Sequence, residues 1–263
     1  MLYEEGKLLL IAGPCALESE QVVRKVADVL KKFQEKNARE VKVIFKGSFD
    51  KANRTSLMTP RGPGMAEGLQ LLAMVKDDYD LPTLTDIHER FQVEPVSAVV
   101  DVLQIPAFLC RQTDLIVEAA KTGCVVNVKK GQFLSPMEAL SIIEKLEASH
   151  SVEHWLTERG TTFGYNNLIV DMRVFPILQK AECPIIFDAT HAVQLPGGMG
   201  KQSGGERQFI LPLARAALAA GAHGLFIETH PEPENAVSDA ATQLPLQDFE
   251  STLEECLKIW RVR

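Results

Sequence analysis

Residues 8–33 read LLLIAGPCALESEQVVRKVADVLKKF. Leu8 to Ala12 form an apolar run without alternation, the pattern of a strand buried on both faces, and Gly13-Pro14 ends it. Ser19 stands where a helix cap is needed, and Val22, Val23, Val26, Val29, Leu30 and Phe33 follow at helical spacing. The same strand-then-helix unit recurs along the chain. Strand-like runs are VKVIF (41–45), PTLTDI (82–87), VLQIPA (102–107), CVVNVKK (124–130), HWLTERG (154–160), CPIIFDAT (183–190) and GLFIETH (224–230). Helical patterns lie among and after them, for example SPMEALSIIEKLEAS (135–149), LPLARAALAAG (211–221) and FESTLEECLKIWRV (249–262). Eight such units imply parallel pairing with right-handed crossovers, and they close naturally into a (β/α)8 barrel. A doubly wound open sheet is the competing architecture. It normally has fewer strands and a glycine-rich first turn, and no GxGxxG follows the first strand here.

The 263 residues suit one barrel domain, residues 1–263, and no low-complexity linker divides them. With 46% hydrophobic and 24% charged residues the composition is that of a globular protein, and a net charge of −7 argues against a general nucleic-acid or anionic-membrane surface. The N-terminus lacks the basic region and long apolar stretch of a secretion signal, and no apolar run is long enough to span a bilayer. Five cysteines, without a CxxC pair, do not suggest a disulfide framework, so the expected setting is the cytoplasm.

In a barrel of this kind the chemistry sits at the C-terminal ends of the strands. Those ends carry, in order, Cys15, Lys46, Asp86 with His88, Gln104, Lys129, Glu158 with Arg159, Asp188 with His191, and Glu228 with His230. One such residue is an ordinary loop charge; eight sets on one rim are a site. Lys46, Lys51, Arg54, Arg111, Lys129 and Arg173 all fall at or near this rim, although the chain is acidic overall. So many cations call for more than one anionic group, and Arg54, Thr55 and Ser56 offer the fork and hydroxyls that phosphates use. A second set is Cys15, His191, Glu228 and Asp239. Strands one, seven and eight are neighbours in a closed barrel, and a thiolate, an imidazole and two carboxylates suit zinc, iron(II) or manganese rather than calcium or magnesium. From spacing alone the metal reading of Cys15 is weakly supported, since a lone cysteine in an apolar segment is usually a packed core residue, which is the reading for Cys110, Cys124, Cys183 and Cys256.

IAGPCALES, FKGSFDKANRTS, TDIHE, LQIPAFLCRQTDL, NVKKGQF, FDATHAVQLPGG and FIETHPEP, in this order over nearly the whole chain, resemble the 3-deoxy-D-manno-octulosonate 8-phosphate synthases. That resemblance implies condensation of phosphoenolpyruvate with arabinose 5-phosphate and release of phosphate, on the route to lipopolysaccharide. It implies that Lys46 and Lys129 hold phosphoenolpyruvate, with Arg173 and the Ala107 backbone completing its phosphate site. Lys51 and Asn53 would meet the sugar hydroxyls. Arg54 and Thr55 would take the sugar phosphate, with Arg111 reaching in from another subunit of a homotetramer. The family usually has serine at the position of Thr55, and the hydroxyl is kept. Its metal-dependent branch has cysteine at the position of Cys15, where the other branch has asparagine. NAVSDAATQLP also resembles the metal-dependent branch. The implied ligands of one divalent transition metal are therefore Cys15, His191, Glu228 and Asp239.

Asp86, His88 and His191 are candidates for proton transfer or ligand orientation, and Lys51 for protonating the aldehyde oxygen or stabilising its charge. QLPGGMGKQSGG (194–205) reads as a loop that closes over the substrates. The nearest alternative is the related heptulosonate synthase acting on erythrose 4-phosphate, whose sugar loop reads Lys-Pro-Arg-Thr where this chain has Lys51-Ala52-Asn53-Arg54-Thr55. Asn53 favours the longer sugar. A barrel that binds sugar phosphates without turnover, and a Schiff-base aldolase built on Lys129, are the more distant alternatives.

Overall fold

The computed structural model describes residues 1–54, 56–197 and 204–263. All eight predicted strand segments form one closed parallel barrel: Leu8–Gly13, Val41–Lys46, Thr83–Asp86, Val102–Ile105, Val125–Lys129, His154–Glu158, Ile185–Asp188 and Gly224–His230. They pair in chain order, and the first strand closes the ring on the eighth, with Leu9 opposite Gly224 and Gly13 opposite Glu228. A helix follows each strand: α1 Glu20–Lys36, α2 Met65–Tyr79, α3 Arg90–Ser97, α4 Thr113–Ala120, α5 Pro136–Ala148, α6 Val174–Leu178, α7 Ile210–Ala219 and α8 Phe249–Trp260. No helix among the described residues is long and apolar enough to cross a membrane.

The pleat divides the apolar side chains between two layers. Along the first strand, Leu9 and Ile11 point into the barrel while Leu8, Leu10 and Ala12 pack outward against the helices. The outer layer meets α1 through Val23, Val26, Ala27, Leu30 and Phe33, all buried, and Ser19 accepts the Val22 N–H at 3.3 Å as its cap. The inner layer is a plug of Leu9, Ile11, Ile44, Leu84, Val102, Val125, Trp155, Ile186 and Phe226. Leu2 and Tyr3 pack against it, their N–H groups donating to the Glu153 carboxylate at 2.7 and 2.8 Å. The apolar plug therefore fills the lower barrel, and the polar side chains are left for the upper end.

Two features bring the tops of strands one and two together. A Cβ on Gly13 would lie 1.8 Å from the carbonyl oxygen of Lys46, so only glycine permits this approach. Beyond it the chain stays paired, with Leu17 N–H donating to Ser48 at 3.0 Å and Ser48 N–H to Cys15 at 3.3 Å. Cys15 is thereby carried over the barrel mouth beside Lys46.

Candidate active site

The upper barrel opens into a cavity of about 800 Å³. Of the residues singled out in the sequence, Lys46, Lys51, Asn53, Arg54, Asp86, His88, Gln104, Ala107, Lys129, His191, Glu228 and Asp239 line it. Cys15, fully buried, sits directly beneath. Its carbonyl accepts from Lys46 Nζ at 2.9 Å and Lys51 Nζ at 3.3 Å. Thr55 lies outside the described residues, as do 198–203 of the glycine-rich segment. Gln194–Leu195 pairs antiparallel with Gly204–Gly205, and Gln194, Pro196 and Gly197 face the cavity.

The cations are not left uncompensated. Lys46 Nζ meets Glu228 Oε1 at 2.6 Å, both side chains almost wholly buried. Lys129 Nζ pairs with Asp188 and lies 3.0 Å from the centroid of the Phe226 ring. Burial lowers the Lys129 ammonium to about 8, with Asp188 opposing that fall. Lys51 moves the other way: burial works against its charge, but the groups at Cys15, Glu228, Asp239 and Asp86 outweigh it and hold the ammonium well above its ordinary range. Burial would likewise raise the Asp86 carboxyl, and Lys46, Lys51, His88 and the Ser48 hydroxyl overcome it, so Asp86 stays ionised. Burial lowers the His88 imidazolium, with the Asp86 charge opposing that fall.

Arg54 spans two loops, donating to Pro60 O at 3.0 Å, Ser238 Oγ at 2.8 Å and Val237 O at 3.1 Å. Two arginines of the expected set stand elsewhere. Arg173 is exposed and bound to Asp171 at 2.7 Å, outside the cavity lining, because the chain between strand six and α6 turns outward through the ribbon Thr161–Thr162/Leu168–Ile169. Arg111 is also exposed and is not among the residues that line this cavity. Besides Arg54, Arg159 enters the cavity immediately after strand six; it is buried, and donates to Gln194 Oε1 at 2.9 Å and His191 O at 3.3 Å. The signal for it was the same strand-end position that marked the others. Gln194 and Ser48 had no such signal, since neither residue type is unusual in a loop.

The metal-type set does converge. Ligand atoms of Cys15, Glu228 and Asp239 lie within 4.8 Å of one another, and His191 Nε2 is 3.7 Å from Glu228 Oε2 and 3.9 Å from Asp239 Oδ2. Asp188 accepts from the backbone N–H of His191 at 2.9 Å and binds its Nδ1 at 2.7 Å, which leaves the Nε2 side of the ring turned to these carboxylates. Glu228 Oε2 is buried with no hydrogen-bond partner among the described residues. Cys15 donates to Asp239 Oδ2 at 2.9 Å, and burial followed by the Asp239 and Glu228 charges pushes its thiol far up. The buried Glu228 carboxylate, the partly buried Asp239 carboxylate, the His191 imidazole and the Cys15 thiol gather oxygen, nitrogen and sulfur donors around one point, where a cation would offset the two negative charges, so these residues fit a divalent transition metal. The backbone supports the arrangement at Asp239, held at φ 53°, a left-handed conformation that aspartate tolerates better than most residues.

The barrel thus carries a cation-lined cavity and a cluster of candidate metal ligands at its C-terminal rim, and the chain belongs to the DAHP synthetase I family, whose profile matches residues 4–260. Its relatives narrow the field. It is 52% identical over 252 residues to the 2-dehydro-3-deoxyphosphooctonate aldolase of Desulfotalea psychrophila, covering 96% of this chain and 89% of the relative. The enzymes of that name from Trichlorobacter lovleyi, 53% identical over 95% of this chain and 91% of theirs, and Geobacter metallireducens, 52% identical over 94% and 90%, are similar.

Proposed function

We propose that the protein condenses phosphoenolpyruvate with D-arabinose 5-phosphate and water, giving 3-deoxy-D-manno-octulosonate 8-phosphate and inorganic phosphate. The observation that carries this reading is one cavity lined by Lys46, Lys51, Arg54, Lys129 and Arg159, enough cationic groups for a carboxylate and two phosphates. The relatives' shared name and the coverage of nearly the whole chain support the octulosonate product over the heptulosonate one.

In the reaction the enol methylene carbon attacks the sugar aldehyde, water adds at the neighbouring carbon, and the C–O bond to phosphate breaks. Lys46, Lys129 and Arg159 bind the enol phosphate and its carboxylate, with Arg159 in the place expected of Arg173. Lys51, kept fully protonated by its anionic surroundings, faces the charge that develops on the aldehyde oxygen. Asn53 selects the sugar through its hydroxyls, and Arg54 with Thr55 takes the sugar phosphate. Cys15, His191, Glu228 and Asp239 would hold a divalent transition metal, which when bound supplies Lewis-acid polarisation of oxygen. Asp188 fixes the His191 ring for that purpose. Arg111, exposed on one subunit, serves the site of a neighbour in a homotetramer, and the enzyme works in the cytoplasm as a single catalytic domain.

The test is phosphate release from phosphoenolpyruvate by metal-replete protein, with arabinose 5-phosphate in one reaction and erythrose 4-phosphate in another. Release with the five-carbon sugar alone is expected. Preference for the four-carbon sugar would transfer the protein to the heptulosonate reaction, and release with neither would leave a binding barrel.

A further inference from the structure

Beneath the pocket a line of buried polar side chains crosses the barrel interior. Thr157 Oγ1 donates to Asn127 Oδ1 at 2.8 Å, Asn127 Nδ2 to Gln104 Oε1 at 2.8 Å, and Gln104 Nε2 to Asp86 Oδ1 at 2.6 Å. Ser48 Oγ closes the line by donating to Asp86 Oδ2, and Lys51 Nζ donates to Ser48 Oγ at 3.3 Å. The register explains the alignment. Asp86 stands opposite Gln104 and Gln104 opposite Asn127 on consecutive parallel strands, so their inward side chains share one height. Asn127 and Thr157 are completely buried and neither lines the cavity.

We propose that Asn127 and Thr157 are positioning residues, which set the amide orientation of Gln104 and through it hold Asp86 as a stationary anion below the substrates. The inference rests on the reading of the cavity as a condensation site. An amide has one donating and one accepting end, so the direction of the line carries information. Turning Gln104 alone would face its carbonyl to the Asp86 carboxylate and its NH2 to that of Asn127. Turning both amides would relieve the second clash and keep the first. Every donor in the line points at Asp86, and both carboxylate oxygens are occupied. In this arrangement Asp86 serves as the fixed counter-charge of Lys46 and Lys51 rather than as the proton carrier that its sequence position also suggested. A single directional line also accounts for three polar side chains placed where apolar ones would pack as well.

Asn127→Asp keeps the shape and removes the donor, since a carboxylate cannot donate to Gln104 Oε1. Gln104 then lies between two carboxylates that compete for its one NH2, so its orientation toward Asp86 is no longer fixed. In metal-replete full-length protein, kcat should fall about 10- to 100-fold with the fold intact by circular dichroism. Asp86→Asn combined with Asn127→Asp should be no slower than Asp86→Asn alone, because both changes act on one group. Thr157→Val should reduce kcat in the same direction and Thr157→Ser should restore it, and this pair carries the comparison if Asn127→Asp does not fold. Carboxyl ¹³C NMR supplies a readout independent of turnover: Asp86 should titrate about one pH unit or more higher in Asn127→Asp than in the parent. Additive losses in the double variant, or an unmoved Asp86 titration with unchanged kcat, would overturn the proposal. An inactive parent whose Asp86 nevertheless shifts in Asn127→Asp would sustain the line of contacts and overturn the functional reading instead.

Discussion

Lys46→Gln separates the structural and metal-binding demands on Glu228. The parent ammonium lies 2.6 Å from Glu228 Oε1 inside the barrel, and no water-exposed surface remains on the carboxylate. Removing one partner of a buried pair strands the other, at a cost of about 3–5 kcal/mol. Glutamine returns one neutral N–H donor, so the lower figure, about 3 kcal/mol, applies. For a chain of this size each kcal/mol moves the melting temperature by roughly 2–4 °C, which gives a drop of about 6–12 °C in protein stripped with chelator. A divalent metal held by Cys15, His191, Glu228 and Asp239 would return positive charge to the same carboxylate. The deficit should then shrink to less than half when zinc or manganese is restored. Differential scanning calorimetry of parent and variant, each with and without metal, reads all four states. An equal deficit in both states would refute the shared role of Glu228, and a deficit under about 2 °C in the stripped protein would refute the buried-pair energetics.

Arg159→Lys should raise the KM for phosphoenolpyruvate about 10-fold or more through loss of the planar fork, whereas Arg173→Ala should stay within about twofold of the parent. Equal effects of the two in steady-state kinetics would reinstate Arg173 in the phosphate site. Cys15→Ala should lose stoichiometric metal by elemental analysis together with most of the activity, and retention of both would remove Cys15 from the ligand set. Because Lys129 is protonated below about 8 and loses its charge above it, kcat/KM for phosphoenolpyruvate should fall as pH rises from 7 to 9.5. A flat profile across that range would mean that Asp188 keeps the ammonium charged in the free enzyme. Borohydride added during turnover should label no lysine, and a label on Lys129 would favour the Schiff-base aldolase.

The barrel was legible because its signal is local. Runs such as LLLIAG and VVNVK, buried on both faces, need only their own side chains to declare themselves, and the caps at Ser19 and Ser135 act within one turn. Strand order then ranks each polar end residue on one rim, which is why Lys46, Asp86, Lys129, His191 and Glu228 are recognisable in the sequence. The convergence of Cys15 with Asp239 needed the closure of strand one on strand eight, which brings together residues 224 positions apart. Distances of this kind belong to the tertiary fold. So do the directions of side chains beyond a strand end: Arg159 and Arg173 are the same residue type in the same connection, and only the outward turn after strand six decides that one enters the pocket and the other pairs with Asp171. Periodicity and strand-end chemistry in the sequence determined the barrel, its rim and the kinds of group gathered there. The tertiary structure decided which cations share the cavity, which carboxylates balance them, and how Thr157, Asn127 and Gln104 line up behind Asp86, because hydrogen-bond direction and ion pairing depend on distances between strands that no one-dimensional spacing encodes.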